Sequence, residues 1–490
     1  MSWPEYIVGI DWDNDGSFEG FTYDFPIIFG APSGDDNITD DVMRLSWSRG
    51  RDAELERATA GTCEITLKNP DGKYSPSNSG GDLYGKLLPG RPVIIMAYFG
   101  GTLYSLWRGK TERIVPSPRW DAQTCYIYCV DGFDFLSRAE VTTELATDEL
   151  TGTLVGNILD DAGWDASLRD IEAGIDTVPL GYWSQVSALY ALQEIEESEC
   201  GFFYIDHRGY ARFEDRHYRM GLSSSETITD EMCDINYDLS SRGIYNSIRA
   251  SYTEKTLGVE AEMWRLSEVP LLAAGETRTW WGDYQGLATN QIDPIATTDY
   301  TANTLANGTG TDMTASVTVT PSHFAGSTKL VVENTAGVAV YLTLLKVRGD
   351  LYSDGDKTSV KAENTTSQTA YQKRDRTLDA QFMESVDQCQ QYCDYVLAKT
   401  KDAWADIDMT LKNRSDTVLT TILNRAISDR ITVQNTELGL DEDFFINAMA
   451  HSVDMKTRLH TCRWSLRTAT PELFWVLDLS ELDSTTKLAY

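Results

Sequence analysis

The chain has 490 residues, more than the roughly 250–300 that one hydrophobic core supports, so several domains are expected. Hydrophobic residues make up 41% and charged residues 24%, which is typical of a globular protein and excludes disorder over most of the length. Asp and Glu outnumber Lys and Arg by 75 to 42, for a net charge of −33. That excess argues against a surface that holds nucleic acid phosphates.

Residues 1–140 read as all β, because apolar and polar side chains alternate there with the period of half-buried strands. Gly100-Gly101 is a hairpin signal between two of the strands. The candidate strands are Tyr6–Asp11, Val42–Trp47, Cys63–Lys68, Val93–Phe99, Thr102–Arg108 and Gln123–Val130. Their spacing suits a small barrel or sandwich, so we expect a β-barrel-like domain over residues 1–140.

A loop rich in proline and glycine follows the strand Cys63–Lys68. Asn69-Pro70-Asp71-Gly72 has the residues of a type I turn, with proline second and glycine fourth. The loop carries no cluster of catalytic or metal-binding side chains, which predicts a structural role. The residues of this motif are Asn69, Pro70, Asp71, Gly72, Tyr74, Ser75, Pro76, Leu83, Tyr84, Gly85, Pro89, Gly90, Arg91 and Pro92.

The hydrophobic period changes near residue 140, which predicts a small α+β domain over residues 141–233. Apolar residues recur at helical spacing over 154–162, and Gly163 stands where a left-handed C-cap would lie. A second helix is expected to begin near Ser184 or Ser187 and to end at Cys200-Gly201. A hairpin is expected next, with strands Phe202–Ile205 and Tyr210–Phe213 around the turn Asp206–Gly209.

Strands return near residue 234, which predicts a second β-barrel-like domain built from residues 234–285 and 346–490. Residues 286–345 are rich in Thr, Ala, Asn and Gly, so an inserted β domain or a long loop is expected there. One long amphipathic helix is predicted over 378–399. Other candidate strands are Tyr245–Tyr252, Val317–Val319, Lys329–Glu333, Val338–Val347, Arg430–Val433, Phe444–Val453, Thr461–Leu466 and Glu472–Leu479. The predicted fold class is therefore mainly β with α+β parts, in several domains.

Asp11, Asp13 and Asp15, followed by Gly16, are the best candidate for metal chemistry. Carboxylates at alternate positions before a glycine are how a tight loop turns its oxygen atoms onto Ca²⁺. An EF-hand needs an acid at the twelfth loop position, which is Thr22 here, with Asp24 two residues late. Two interpretations stay open: a structural calcium site, or a turn at the end of a strand with solvated acids. No other cofactor is expected.

Other reactive side chains give no catalytic pattern. His207 and His217 could face each other across the expected hairpin and its extension, and Trp280-Trp281 is the densest aromatic cluster, suited to packing, an intersubunit contact or sugar stacking. No zinc-protease, serine-hydrolase, Walker A or dinucleotide motif is present. The eight cysteines lack a C-x-x-C pair, which predicts buried free thiols from a reducing cytoplasm. The N-terminal residues predict no signal peptide, and no apolar run of about 18 residues predicts a membrane span.

The run Gly61–Pro92 resembles the first domain of tail hub proteins, also called tail tip or minor tail proteins, of long-tailed bacteriophages. It contains N-x-D-G-K-Y-S-P followed by L-Y-G-x-L-x-P-G-R-P. Weaker similarity extends to Ile10–Gly16, Trp47–Asp52, Gly201–Phe213 and Ile427–Val433, and to other segments outside 286–345. The resemblance carries over no catalytic residue, since the motif positions are turn and packing positions.

The resemblance implies a virion structural protein at the tail tip, assembled in the host cytoplasm. In such hubs two barrel-like domains per subunit lie in a ring, so that a homotrimer presents six barrels to a sixfold tube. The implied partners are the distal tail or tail-tube protein, the tape-measure C-terminus and a tip fibre or spike, with DNA only in transit. The acidic excess then has two interpretations, solubility or a lumen wall that repels DNA. The alternatives are a tail-associated cell-wall or polysaccharide hydrolase and a carbohydrate-binding adhesion protein.

Overall fold

A computed structural model describes residues 3–16, 35–51, 56–119, 122–230, 232–239, 241–380, 382–383, 385–469, 474–475 and 487–488. Strands dominate these residues, which confirms the expected fold class of a mainly β protein with α+β parts. Short 3-10 helices lie at Thr39–Asp41, Ala166–Leu168, Tyr218–Gly221 and Thr314–Ser316. Within the described residues, no helix is both long enough and apolar enough to cross a bilayer.

The first six strands match the expected ones, with one long extension. They are β1 (Glu5–Ile10), β2 (Val42–Gly50), β3 (Thr59–Lys68), β4 (Pro92–Phe99), β5 (Thr102–Pro118) and β6 (Gln123–Val130). The predicted alternation is confirmed in β3, where Cys63, Ile65 and Leu67 are buried. β5 continues ten residues beyond the predicted end at Arg108, because its second half pairs with β6.

Residues 131–230 alternate short strands with helices. The elements are α1 (Gly132–Arg138), β7 (Glu140–Thr142), β8 (Ala146–Leu150), α2 (Thr151–Asp161), β9 (Arg169–Ile171), β10 (Thr177–Gly181), β11 (Ser184–Ser187), α3 (Ala188–Glu199), β12 (Phe202–Ile205), β13 (Ala211–Glu214) and β14 (Thr227–Ile228). Ser187 caps α3 by accepting a hydrogen bond from the Tyr190 amide, as its sequence position suggested. Gly163 has φ +75°, as expected for the residue that ends α2.

The middle of the chain is almost entirely β. Its strands are β15 (Cys233–Leu239), β16 (Ser247–Leu257), β17 (Ala261–Arg265), β18 (Leu271–Leu272), β19 (Thr277–Asp283), β20 (Ala288–Ile292), β21 (Tyr300–Asn303), β22 (Val317–His323), β23 (Ser327–Asn334) and β24 (Val340–Glu363). A hydrophobic cluster joins β17 to β24, with members from Met263 to Val347. The boundary suggested at residue 286 therefore passes through the middle of this cluster.

The last part of the chain returns to the main sheet. Its elements are α4 (Thr365–Tyr371), β25 (Asp375–Asp379), α5 (Val386–Thr400), β26 (Ala405–Lys412), α6 (Asp416–Asn424), β27 (Arg430–Asn435), β28 (Leu440–Asp454), β29 (Leu459–Thr468), β30 (Phe474–Trp475) and β31 (Lys487–Leu488). β30 lies within the predicted strand Glu472–Leu479, most of which falls outside the described residues.

The long helix predicted over 378–399 is wrong in its first third. Leu378 lies in β25, which pairs in parallel with β16, and the helix begins only at Val386. The Ser385 side chain accepts a hydrogen bond from the Gln388 amide, so a local cap sets the start. Apolar residues on either side of that cap happened to continue a helical period.

One sheet joins the two ends of the chain. Its main order is β1-β4-β5-β6-β3-β2-β28-β29-β26-β15, and β27 and β14 extend it from β28. β2 pairs with β28 in antiparallel register from Arg44↔Asp454 to Gly50↔Ala448. The two regions expected to form separate barrels are thus connected through backbone hydrogen bonds as well as side-chain packing.

Four hydrophobic clusters organise the described residues. One lies under β1 to β6 and the motif loop, and a second joins the α+β region to β26–β29. A third lies between α5 and the sheet of β16, β24 and β25, and the fourth is the inserted cluster of β17–β24. β24 spans the last two, since its start packs in the inserted cluster and its end pairs with β16.

Candidate assembly interface

The main sheet contains the same six-strand unit twice. The first unit has the order β1-β4-β5-β6-β3-β2, and the second has the order β14-β27-β28-β29-β26-β15. The strands of the two units also follow one another along the chain in the same order. The second unit's strands β14, β15, β26, β27, β28 and β29 therefore correspond to β1, β2, β3, β4, β5 and β6. One pairing differs: β1 is antiparallel to β4, whereas β14 is parallel to β27. The main sheet therefore repeats one β topology, and we refer to this repeat as the duplication.

A β-bulge fixes how the two units correspond residue by residue. In the first unit β5 carries a bulge between Thr111 and Arg113, opposite β6. In the second unit β28 carries one between Ile446 and Ala448, opposite β29. Bulges shift register by one residue, so matching them gives a single alignment of the strands.

With the bulges matched, Pro116 of β5 corresponds to His451 of β28, because each lies opposite an equivalent cysteine of the next strand, Cys125 and Cys462. Followed across the sheet, the same register makes Tyr237 of β15 equivalent to Trp47 of β2. The equivalent residues on each side of these are Ile235 for Leu45, Leu239 for Arg49, Ile114 for Met449 and Pro118 for Val453.

The two units meet where β2 pairs with β28. The rings of Trp47 and His451 stack there, with centroids 4.7 Å apart and planes 9° apart. Gly50 ends the contact with φ +112°, and a Cβ at this position would lie 2.3 Å from the Asn447 carbonyl oxygen. Only glycine combines this backbone angle with so close an approach.

A chain of buried hydrogen bonds runs along this junction. His451 Nδ1 lies 3.0 Å from His460 Nε2, and His460 Nδ1 lies 2.7 Å from the Tyr6 hydroxyl. The other end of the chain is Cys462 Sγ, 3.3 Å from His451 Nε2. One neutral tautomer of each ring satisfies every member, so the chain needs no charge.

Burial keeps these groups neutral. It lowers the pKa of His460 to about 3, and burial together with the neighbouring His460 holds the pKa of His451 well below its usual range. Burial also raises the pKa of the Cys462 thiol and of the Tyr6 hydroxyl. A thiol held protonated is a poor nucleophile, which favours a packing role for this Cys-His contact.

Each unit has an outer edge, and among the described strands only one of the two equivalent edges is paired. β2 of the first unit has β28 on its outer side, whereas β15 of the second has no outer partner among the described strands. Exposure follows this difference: Trp47 is 2% exposed, whereas its equivalent Tyr237 is 41% exposed and Leu239 is 59% exposed. The second half of β5, beyond Thr111, likewise lacks a strand partner on the side opposite β6 within the described part of the chain.

The motif loop supports the first unit from inside. Asn69 accepts a hydrogen bond from the Tyr74 amide and donates one to Ser75, and the Tyr74 hydroxyl donates to Asp41. Tyr74 and Leu83 are fully buried. Gly72, Gly85 and Gly90 all have positive φ, and the Gly90 amide donates to Thr111 beside the bulge of β5. These contacts favour the predicted structural role, and Tyr84 alone among the motif's large side chains is mostly exposed.

The acidic triplet does not converge. The buried Asp11 carboxylate accepts hydrogen bonds from the amides of Asn14, Asp15 and Gly16, and Asp13 pairs with Lys86 at 3.1 Å. Within the described residues, no three His, Cys, Asp or Glu side chains are arranged to hold a metal ion. Thr22 and Asp24 lie outside the described residues. The geometry favours the strand-end turn, and calcium stays a prediction.

The suggested histidine pair does not form. His207 lies in the turn between β12 and β13, whereas His217 follows the far end of β13. His207 lines a cleft of about 780 Å³ with Leu103, Arg108 and Tyr210, and burial, aided by Arg49, lowers its pKa to about 4. The described lining offers no cysteine or serine in hydrogen bond with that imidazole.

Sequence reasoning missed the ionic cluster at the centre of the α+β region. Arg216 binds Asp176 through two contacts of 2.7 and 2.9 Å, and it also lies 3.4 Å from Glu199. All three are buried, and Thr151 donates to Glu199. They lie far apart in the chain and match no motif, so no signal in one sequence could have found them.

The free thiols expected from sequence are confirmed. None of the eight cysteines forms a disulfide, and seven of them are buried. Cys200 is the half-buried one, where it ends α3 in a left-handed conformation with φ 53°. The sequence had suggested Cys200-Gly201 as the stop.

No protein-family description and no curated protein matches this sequence. Among solved structures, the tail protein from Neisseria meningitidis MC58 is similar, with 9% identity, 95% of this chain and 97% of that chain covered, and a TM-score of 0.50. The 43 kDa tail protein of prophage MuSo2 from Shewanella oneidensis covers 94% of this chain and 98% of its own at 10% identity and a TM-score of 0.48. The first likeness shows that the chain has the fold of a tail protein, which confirms the resemblance at the level of fold.

Proposed function

We propose that this chain is a structural protein of a phage tail tip, a homotrimeric hub that closes the tail tube and opens for DNA ejection. The observation that carries the proposal is the duplicated six-strand unit. A chain with two equivalent units supplies six of them as a trimer, which matches a sixfold tube to a threefold tip. The fold of a tail protein supports the same role.

The partners follow from that position. The hub contacts the distal tail or tail-tube protein above, the tape-measure C-terminus in the lumen, and a fibre or spike below. DNA passes without being held, in keeping with the net charge of −33. The protein is assembled in the host cytoplasm, acts in the virion and host attachment, and needs no membrane insertion.

Electron microscopy tests the proposal most directly. Purified protein is expected to form threefold rings, and particles labelled with antibody are expected to carry label only at the tail tip. Infection with the gene deleted is expected to yield no intact tails. A stable monomer that is absent from purified particles would overturn the proposal.

The described groups give little support to the alternative of a tail-associated hydrolase. The buried His451, His460 and Cys462 form one hydrogen-bonded chain with Tyr6, and no serine or cysteine of the described cleft lining is hydrogen-bonded to the His207 imidazole. A muralytic assay of the purified trimer tests this point. Cell-wall release that is lost in His207→Ala would support the hydrolase against the structural role.

One surface feature favours carbohydrate binding as a second function. Trp281 of β19 is 60% exposed and stacks on Phe324, with centroids 5.9 Å apart and planes 18° apart. Lys329 lies over the Trp281 ring at 5.8 Å. A flat aromatic surface with a polar neighbour suits the apolar face and hydroxyl groups of a sugar. Glycan-array binding that is lost in Trp281→Ala, with trimers intact, tests it; no bound glycan would retire it.

A further inference from the structure

Two unpaired edges of the main sheet correspond to each other through the duplication. Within one chain, β2 of the first unit pairs with β28 of the second. The equivalent strands, β15 and the second half of β5, are the ones without that partner among the described residues. A single chain cannot pair them because they lie at opposite ends of the order β5-β6-β3-β2-β28-β29-β26-β15.

We propose that β15 of one copy pairs with the second half of β5 in the next copy, and that this contact repeats the β2–β28 junction between subunits. The inference rests on the proposed function, which supplies the trimer, and names the surface that builds it. The contact is heterologous, because it joins two different edges. It closes into a ring when the rotation between copies closes.

The internal junction fixes the register. Trp47 lies opposite His451, Leu45 opposite Val453 and Arg49 opposite Met449. Substituting the equivalent residues puts Tyr237 opposite Pro116 of the next copy, Ile235 opposite Pro118 and Leu239 opposite Ile114. Each of these pairs is apolar on both sides, as an interface core requires.

Exposure agrees with this pairing at both edges. Val453, His451 and Met449 are buried where β28 pairs with β2, whereas their equivalents Pro118, Pro116 and Ile114 are exposed or half-buried. Tyr237 and Leu239 are among the exposed large apolar side chains of the chain. A neighbouring copy would bury them as β2 and β28 bury each other.

The two prolines explain how the edge avoids unwanted partners. Proline has no amide hydrogen, so a strand with Pro116 and Pro118 offers fewer donors to an arbitrary β segment. The contact therefore depends on side-chain fit more than the β2–β28 junction does. Selectivity for a second copy of this chain follows from that dependence.

Paired cysteines test the register directly in the full-length protein. The double variant Tyr237→Cys, Pro116→Cys is expected to cross-link into covalent trimers under mild oxidation, read on a non-reducing gel. The matched control is Asp238→Cys, Pro116→Cys. One residue along a strand turns the side chain to the other face, so the control is expected to cross-link at least about tenfold less. Wild type reports any background from its own, mostly buried, thiols.

A charge at the same edge gives a second measurement without engineered bonds. Leu239→Arg puts a cation into the apolar contact and is expected to raise the trimer dissociation constant by roughly tenfold or more. Tyr190→Arg, at an exposed tyrosine on α3, is expected to leave it unchanged. Both sites are exposed, so circular dichroism and thermal melting are expected to match wild type.

The outcomes separate this inference from the proposed function. Trimers that form normally in Leu239→Arg and cross-link equally in both cysteine pairs would overturn the β15–β5 contact and leave the hub role standing. Monomeric wild-type protein that never joins tails would overturn the hub role itself. Covalent trimers confined to the Tyr237–Pro116 pair would support both.

Discussion

The ring of Trp47 lies flat on the ring of His451, 4.7 Å away, although 403 residues separate them in the chain. Trp47 comes from β2, near the start of the chain, and His451 comes from β28, near its end. The stack is therefore the side-chain part of the β2–β28 junction. Anything that weakens it is expected to loosen the connection between the two units.

Replacing Trp47 with alanine is expected to destabilise the protein strongly. The side chain is 2% exposed and packs against His451 and His460, so its loss leaves a cavity worth about 3–5 kcal/mol. Urea denaturation followed by intrinsic fluorescence measures the change. Trp281→Ala removes the same side chain from an exposed site and is the control, with a change expected within about 0.5 kcal/mol. Equal losses in the two variants would contradict the role given to the junction.

Gly50 is expected to tolerate no side chain. An alanine Cβ would lie 2.3 Å from the Asn447 oxygen, at a φ of +112° that alanine rarely adopts. Gly50→Ala is expected to lower the melting temperature by several degrees, since a clash and backbone strain add. Gly156 on α2 has open space around its Cβ position, so Gly156→Ala is expected to raise the melting temperature slightly. An unchanged melting temperature in Gly50→Ala would mean that the β2–β28 contact adjusts to a side chain at little cost.

Local patterns in the sequence predicted the local elements well. β3, β6 and the hairpin of β12 and β13 all follow from alternation and turn residues, and the loop at Asn69 folds around the expected turn. The helix start was missed, because Leu378 and Phe382 extend the apolar period of α5 past the Ser385 cap. Periodicity reports which residues face a core and not whether the backbone between them is helical.

Two barrel-like domains were expected, but their residue-by-residue correspondence, and the edge that lacks a partner among the described strands, could not be predicted from one sequence. The second unit is interrupted between β15 and β26 by residues 240–404, which hold the inserted cluster and α5. Equivalent positions also differ in type, such as Trp47 and Tyr237 or His451 and Pro116. Pairing register between distant strands has no local signature. The sequence alone therefore does not distinguish Tyr237 and Leu239 from other strand residues. Their alternation with Asp238 was the one available signal.

Asp11 is expected to act by holding its loop, with or without calcium. Its carboxylate accepts three backbone amides, and Asp11→Ala removes all three acceptors from a buried turn. A loss of about 1–3 kcal/mol is expected, measured by urea denaturation. Asp13→Ala breaks only the exposed pair with Lys86, so it is expected to cost less than about 1 kcal/mol. Added calcium is expected to leave the melting temperatures of wild type and of Asp13→Ala unchanged. A rise in the melting temperature of wild type on adding calcium, absent in Asp13→Ala, would support the calcium site instead.

Acidification is expected to weaken the junction through its histidines. Burial lowers the pKa of His460 to about 3, against about 6.5 when unfolded, so between these values only the unfolded chain takes the proton. This contribution to stability is full above pH 6.5 and declines as the pH falls towards 3. His460→Gln is expected to lower the melting temperature at pH 7 and to flatten its decline between pH 6.5 and 4. A decline between pH 6.5 and 4 that is equally steep in His460→Gln and in wild type would contradict this role of His460.

Glu196 is expected to contribute with the opposite sign. Burial raises the pKa of this α3 carboxyl to about 7, although the Phe203 amide and Arg51 favour its charged form. Between about pH 4.5 and 7 the folded chain therefore holds a proton that the unfolded chain has lost, and stability declines as the pH rises through that window. Glu196→Gln keeps the shape and removes the titration. As the pH rises through the window, the unfolding free energy of Glu196→Gln is expected to increase relative to that of wild type by up to about 1.4 kcal/mol per pH unit. The control is Glu197→Gln, at the next residue, whose exposed side chain pairs with Arg57. A difference in unfolding free energy between Glu196→Gln and wild type that does not change with pH would show that the Glu196 carboxylate stays charged when buried.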